Sequence, residues 1–399
     1  MIVRYESWGA WVKMEGEVET PLGKNGAILA LDREGILALG LDGGAAWTAP
    51  HAPSAPLEIH LAVTSKCAAG CDGCYLDARP DGAHVPREDL EAAMDAMKSA
   101  GVFTVAFGGG EPTTRADLGE LAEAARARGI TPVLTTSGIG LGPGKIAKLG
   151  AFAQVNVSYD GAGDGYESVR GFDGRSAAES AIAHLCEAKI RVGINVVLTR
   201  DSFDGLGETL LRARSLGARE AQLLRYKPAG RAASLDYLAR RLTPEQAASL
   251  GPTLRRLTRE HDALGPGFSI RIDCALVPFL SGDPELRDKP ETLARFGIFG
   301  CEAGDALASV RADGYVSPCS FAAPTTLRGA DLADHAADPE LTRWRTHRLA
   351  PDEPCASCTL RPVCKGGCKV VSSFVDHAHG PDPECPRVRA HRRTPPLSS

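Results

Sequence analysis

No apolar stretch in the 399-residue chain approaches the roughly 20 residues that cross a bilayer. The N-terminus, MIVRYESWGAW, has neither the charged start, the apolar run nor the small-residue cleavage site of a secretory signal. No basic stripe is present and the formal net charge is −5, so electrostatics offers no reason to expect a nucleic-acid partner. Internal repeats, low-complexity tracts and a convincing nucleophile–base pair are also missing. These absences exclude membrane-spanning, secreted and nucleic-acid-binding classes and set the expectation of a cytoplasmic protein. Hydrophobic residues make up 43% and charged ones 24%, enough for one large domain and one or two smaller ones.

Against this ordinary background stand twelve cysteines. Structural disulfides are rare in a reducing compartment, so clustered cysteines there point to metal or catalysis. Ten fall into two groups, at 67–74 and 301–385. Cys186, in the helical pattern AAESAIAHLCEA, reads as a buried small hydrophobe. Cys274 belongs to neither group.

Residues 1–56 read as a β-rich segment without a helix. IVRYESWGAWVKM alternates loosely, AILALDREGILALGL is two apolar runs joined by a turn-like DREG, and HAPSAP is a linker. From Leu57 the pattern alternates strand and helix through LEIHLAVT, VFTVAFGGG, ITPVLTTS, FAQVNVSYD, IRVGINVVLT and REAQLLRY. Six such strands, fewer than the eight of a closed barrel, predict an α/β fold with a partial (β/α)6 barrel over 57–235. Chemistry in such folds gathers at the C-terminal ends of the strands. Residues 236–298 read as a helical linker with a possible strand at FSIRID. Residues 299–388 form a cysteine-rich region with a hairpin turning at Asp313-Gly314, and 389–399 a tail. The cysteine-rich region is too poor in periodic segments to build its own core, so metal would have to contribute to its stability.

Cys67, Cys71 and Cys74 form C-x3-C-x2-C directly after the first barrel strand. Three thiolates on one loop can hold three corners of an iron–sulfur cube, leaving one iron open. A zinc site needs four ligands; His60, within the strand, and His84, on a polar loop, are the donors available for that alternative.

The loop resembles the signature of the radical S-adenosylmethionine (SAM) superfamily. Phe107-Gly108-Gly109-Gly110-Glu111-Pro112 resembles its GGEP motif, Thr135-Thr136-Ser137-Gly138 its T-N-G stretch, and Ser158-Tyr159-Asp160-Gly161 its S-x-D-G element. The resemblance implies a SAM site built from Gly109, Gly110, Glu111, Ser137, Ser158, Asp160, Arg170 and Asn195. In it Arg170 would pair with the SAM carboxylate, and Arg225 is a further SAM-side or substrate-side candidate. It also implies that a cofactor-generated radical, rather than a protein nucleophile, does the chemistry, with flavodoxin or ferredoxin as electron donor. One departure stands out. Where the family places an aromatic residue before the last cysteine, this chain has Gly73, and Tyr75 follows.

The second group comprises Cys301, Cys319, then C-x2-C-x5-C-x3-C at Cys355, Cys358, Cys364 and Cys368, and finally Cys385. Seven thiolates nearly fill two clusters, with zinc again the alternative reading of C-x2-C. Beside the first group, the region resembles the SPASM extension of radical SAM peptide-modifying enzymes. That resemblance implies two auxiliary [4Fe–4S] clusters. Cys301, Cys319 and Cys368 would hold the first, with its fourth ligand undetermined and Cys274 a candidate. Cys355, Cys358, Cys364 and Cys385 would hold the second. RYKPAGR, CEAG, KGGC and GPDPEC resemble the mycofactocin-precursor and pyrroloquinoline-quinone peptide maturases. The implied activity is modification of a residue of a small ribosomal peptide, by oxidative decarboxylation or C–C or C–S bond formation. The alternatives are side-chain oxidation of the sulfatase-maturing type, tetrapyrrole modification, or a non-catalytic zinc- or cluster-stabilised binding protein.

Overall fold

The computed structural model describes residues 1–6, 9–14, 19, 20, 23, 24, 27–48, 55–260, 267–349, 351–377 and 379–393. In the N-terminal segment, β1 (Ile2–Glu6), β2 (Gly9–Met14) and β5 (Ala27–Asp32) form an antiparallel sheet in the order β1-β2-β5, while β3 (Glu19–Thr20) pairs with β4 (Gly23–Lys24). DREG is not the turn expected. Asp32 caps a helix, α1 (Arg33–Ala38), by accepting the Gly35 N–H at 2.8 Å. The second apolar run therefore folds over the sheet, with Ile36 packed on Ala10 and Val12. Lys13 ties the sheet to the barrel by donating to Gly129 O at 2.7 Å. Residues 51–54 of the expected linker lie outside the described residues.

The barrel runs β6 (Glu58–Thr64), α2 (Arg87–Ala100), β7 (Thr104–Gly109), α3 (Leu118–Ala127), β8 (Thr131–Thr136), α4 (Pro143–Ile146) and β9 (Gln154–Ser158). It continues through α5 (Gly165–Arg170), α6 (Arg175–Glu187), β10 (Val192–Leu198), α7 (Leu206–Ser215) and β11 (Glu220–Arg225). All six expected strands are present and parallel. Alternate residues of β6 (Ile59, Leu61, Val63) join the stripe Leu90, Ala93, Met94 and Met97 of α2 in one core. Met94 is fully buried there, and truncating it to Ala would cost about 2–5 kcal/mol.

The sheet is wider than the sequence suggested. After α8 (Asp236–Arg240) and α9 (Pro244–Glu260), the segment FSIRID supplies β12 (Ser269–Ile272), a seventh parallel strand beside β11. A 3-10 segment, Cys274–Gly282, and α10 (Pro290–Arg295) follow. The hairpin β13 (Leu307–Val310) and β14 (Val316–Ser317) then joins the opposite edge, β13 running parallel to β6. The resulting order is β12-β11-β10-β9-β8-β7-β6-β13-β14, an open, mostly parallel α/β sheet.

The C-terminal region contains α11 (Pro339–Leu349), α12 (Arg361–Cys364), α13 (Lys369–Val375) and α14 (Pro386–Arg393). Five of its seven cysteines lie in two small apolar clusters apart from the main core. One joins Ala275, Cys301, Cys319, Cys368 and Val371; the other joins Leu280, Leu360 and Val363 with Cys358 and Cys364. Among the described residues no helix is long and apolar enough to cross a membrane.

Candidate active site

The C-terminal ends of β6–β9 lie side by side in the sheet, each followed by one of the loops singled out in the sequence, and Asn195 lies within the neighbouring β10. Cys67, Cys71 and Cys74 lie half-buried on the loop leaving β6. Backbone bonds shape that loop, with Cys67 N donating to Arg79 O at 2.8 Å and Cys74 N to Cys71 O at 3.3 Å. Arg231, from the RYKPAGR segment after β11, closes it. The Arg231 N–H reaches Cys74 O at 2.9 Å, and the guanidinium grips Cys71 O at 2.8 and 3.0 Å and Asp77 Oδ1 at 2.9 Å. Nothing in the spacing of the motifs pointed to this residue.

Gly109 and Gly110 bring the end of β7 onto the backbone of this loop. Gly110 N bonds Thr64 O at 2.7 Å and Glu111 N bonds Lys66 O at 2.8 Å. A Cβ at Gly109 would lie 2.3 Å from Thr64 O, and one at Gly110 2.2 Å from Lys66 O, so only glycine permits the approach. Gly108 faces open space.

The carboxylate of Glu111 is buried and held by donors from the β7 and β8 ends. Its Oε1 accepts from Thr113 N (3.1 Å), Thr113 Oγ1 (2.8 Å) and Thr136 Oγ1 (2.7 Å). Its Oε2 accepts from Ser137 N (2.8 Å) and Ser137 Oγ (2.6 Å). Five donors saturate a carboxylate, so Glu111 and Ser137 brace the β7 and β8 ends against each other.

Asp160, after β9, has a fully buried carboxylate. Its Oδ1 accepts Val197 N at 2.7 Å from β10, and its Oδ2 accepts Arg170 Nε at 2.5 Å. Arg170 also directs Nη1 to Cys71 Sγ at 3.6 Å. Burial alone would weaken the hold of Arg170 on its proton, but Asp160 and Cys71 beside it keep the guanidinium firmly charged. Arg170 thus links the β9 end to the cysteine loop. Ser158 and Asn195 are register partners across β9 and β10 at the same end of the sheet.

Gly73 has a structural reason. A Cβ there would lie 2.8 Å from Cε2 of Tyr226, a buried ring from the end of β11 that stacks on Tyr237 at 5.9 Å. Tyr75 points elsewhere, its ring 4.6 Å from that of Phe321 in the cysteine-rich region.

Arg225 does not join the strand-end site. It is buried, pairing with Asp382 at 2.6 Å and Glu384 at 2.8 Å, and donates to Ala275 O at 3.0 Å. Asp382 also accepts the N–H groups of Cys368 and Glu384, each at 3.0 Å. One ion network therefore locks GPDPEC and KGGC to the barrel.

No disulfide links any of the twelve cysteines. In the second group Cys319 feels the charges of Cys301 and Cys368, and Cys364 those of Cys355, Cys358 and Cys385. Burial pushes the Cys319 thiol up to about 12, with Cys301 and Cys368 beside it acting in the same direction. Burial pushes Cys364 well up, and its neighbours Cys385, Cys355 and Cys358 reinforce the shift. Crowded thiols of this kind are unfavourable as bare anions, and an iron–sulfur core binds such soft, electron-rich donors. The donor chemistry fits such cores in both sets, and fits a third at Cys67, Cys71 and Cys74, where Arg170 supplies a counter-charge. Among the described residues, no three His, Cys, Asp or Glu side chains are gathered as a single metal ion requires.

Residues 61–213 match the family described as the radical SAM superfamily. The chain is 28% identical to mycofactocin maturase MftC of Mycolicibacterium smegmatis over 344 residues, 83% of either chain. It is 25% identical to the PqqA peptide cyclase of Rhodopseudomonas palustris over 358 residues, 85% of this chain and 89% of that one. The fold matches Streptococcus suis SuiB, solved with S-adenosylmethionine, at a TM-score of 0.73 and 18% identity, covering 96% of this chain and 98% of that one.

Proposed function

We propose that this chain, which belongs to the radical SAM superfamily, modifies a residue of a ribosomally synthesised peptide. The observation that carries this reading is the pairing of a SAM-type strand-end site with two further thiolate sets on one chain. Bound to a [4Fe–4S] cluster, SAM supplies a 5′-deoxyadenosyl radical able to take a hydrogen atom from substrate. Cys67, Cys71 and Cys74 hold that cluster, and Arg231 and Arg170 fix their loop. Backbone at Gly108–Gly110 and the Ser158–Asp160 element line the SAM side, while Glu111 and Ser137 keep the β7 and β8 ends in register. Cys301, Cys319 and Cys368 hold one auxiliary cluster, and Cys355, Cys358, Cys364 and Cys385 the other.

Resemblance to a mycofactocin maturase and a PqqA peptide cyclase along most of the chain supports a peptide substrate. Oxidative decarboxylation and C–C or C–S bond formation are the reactions this placement favours, with the auxiliary clusters taking the electron left on substrate or helping to hold it. A flavodoxin or ferredoxin is the expected reductant. The test is to reconstitute the chain anaerobically, assay release of 5′-deoxyadenosine, and offer any short peptide encoded beside its gene, reading the product mass. A mass loss or cross-link dependent on SAM supports the proposal. A chain that holds only zinc and cleaves no SAM overturns it, and sulfatase or haem-pathway neighbours with turnover of their products would replace the peptide by those substrates.

A further inference from the structure

The interleaved assignment leaves the first auxiliary site one thiolate short, with Cys301, Cys319 and Cys368 for four irons. Taking the chain as cluster-bearing, we infer that Cys274 is the fourth ligand of that site, so that its cluster is closed by protein and offers no iron to substrate.

Placement argues for this. β12 pairs with β11, and Asp273 N bonds Leu223 O at 2.8 Å, which delivers Cys274 at the strand end as the 3-10 segment Cys274–Gly282 begins. Its neighbour Ala275 is fully buried in the same apolar cluster as Cys301, Cys319 and Cys368. The thiolate charges that act on Cys274 are those of Cys301 and Cys368, two of the three assigned ligands. The far end of the segment touches the other set, where Ser281 Oγ meets Cys385 Sγ at 3.1 Å and Pro278 O accepts from Cys385 Sγ at 3.5 Å. One short segment therefore runs from the first thiolate set to the second, with Cys274 at the first.

Elimination agrees. Of the twelve cysteines, ten are assigned and Cys186 packs with the barrel core, beside Gly217, rather than in the apolar clusters that hold the second group. Cys274 is the remaining thiol. Its present partner is Asp273 Oδ1 at 3.3 Å, and Asp273 is itself paired with buried Lys227. Lys227 Nζ lies over the Phe321 ring at 4.0 Å. An ammonium held there is a counter-charge for a four-thiolate cluster.

The test uses the full chain, reconstituted anaerobically, as wild type, C274A, C274S and C186A. Iron and sulfide are counted, and Mössbauer and EPR spectra are recorded with SAM saturating the open iron of the first cluster. Labelled imidazole is then added as a probe for any other open iron. The expected result is three full clusters in wild type and C186A with no imidazole coupling. C274A and C274S should show either loss of about four irons per chain or a new imidazole-coupled iron. Wild type that already couples imidazole at an auxiliary cluster, or C274A spectra identical to wild type, overturns the assignment and leaves the peptide-modifying proposal standing. Absence of iron clusters from wild type overturns both. If both Cys274 variants fail to fold, the imidazole experiment on wild type decides alone.

Discussion

Tyr226 occupies the space that a side chain at Gly73 would need. The ring belongs to the stretch after β11, yet it closes against the cysteine loop after β6, at the position where the resemblance to the radical SAM signature predicts an aromatic residue in the loop itself. The structure therefore keeps an aromatic surface beside the third cysteine but supplies it from another strand. Gly73→Phe should overpack the contact and cost about 1–3 kcal/mol. Tyr226→Ala should leave a void, and the double variant should recover much of the loss of each single change, because neighbours in contact are not additive. Thermal unfolding and iron content after reconstitution measure this. A double variant no better than the worse single one would show that the two positions do not share a site.

The Glu111 brace makes a second prediction. Glu111→Gln replaces one acceptor oxygen by a donor facing hydroxyls and N–H groups that already donate. Hydrogen bonds to a charged group contribute about 1.5–3 kcal/mol each, so the β7 and β8 ends should loosen, with SAM affinity falling about tenfold or more. Equilibrium dialysis with SAM reads it. Unchanged affinity would mean that the brace is not coupled to the cofactor site.

Arg225 makes a third. Arg225→Met leaves Asp382 and Glu384 buried without their shared cation, a change that costs about 3–5 kcal/mol. Because Asp382 also holds the Cys368 N–H, iron should be lost from the auxiliary sets before the SAM-type cluster. Iron counts together with SAM cleavage separate the two, and a variant that melts and loads iron like wild type would remove Arg225 from this role.

The sequence exposed those parts of the site whose residues are contiguous. The cysteine loop, the glycine turn and the Ser158–Asp160 element each lie within a few residues at a strand end, where a periodic pattern and a motif coincide. It concealed what depends on distant partners: Arg225 and Asp382 are 157 residues apart, and Arg231 and Cys71 are 160. An arginine at a strand end or in a loop carries no local sign of which carbonyl or carboxylate it will meet. The misread α1 has a different cause, since Asp-Arg-Glu-Gly serves equally as a turn and as an N-cap with a first helical turn. β12 was only a possible strand because four residues make little pattern, and its pairing with β11 comes from packing.

The last prediction concerns pH and rests on His335. This side chain is fully buried in the segment Gly329–Ala336, and neither ring nitrogen has a hydrogen-bond partner among the described residues. Burial, aided by the nearby charges of Arg345 and Arg4, lowers its pKa to about 3 from an ordinary 6.5. The native ring therefore stays neutral while the unfolded chain takes up a proton as the pH falls below about 6.5. Between that value and about 3 the unfolded state binds more protons, so stability declines with acidification, by up to about 1.4 kcal/mol per pH unit from this group. His335→Leu removes the titration and the two unpaired nitrogens. The variant should match or exceed wild type at pH 7.5, and its advantage should grow by about 1.4 kcal/mol on going to pH 5.5. Anaerobic denaturant unfolding at the two pH values measures the difference. A wild-type-to-variant gap that does not change with pH would show that His335 is protonated or solvated in the native state.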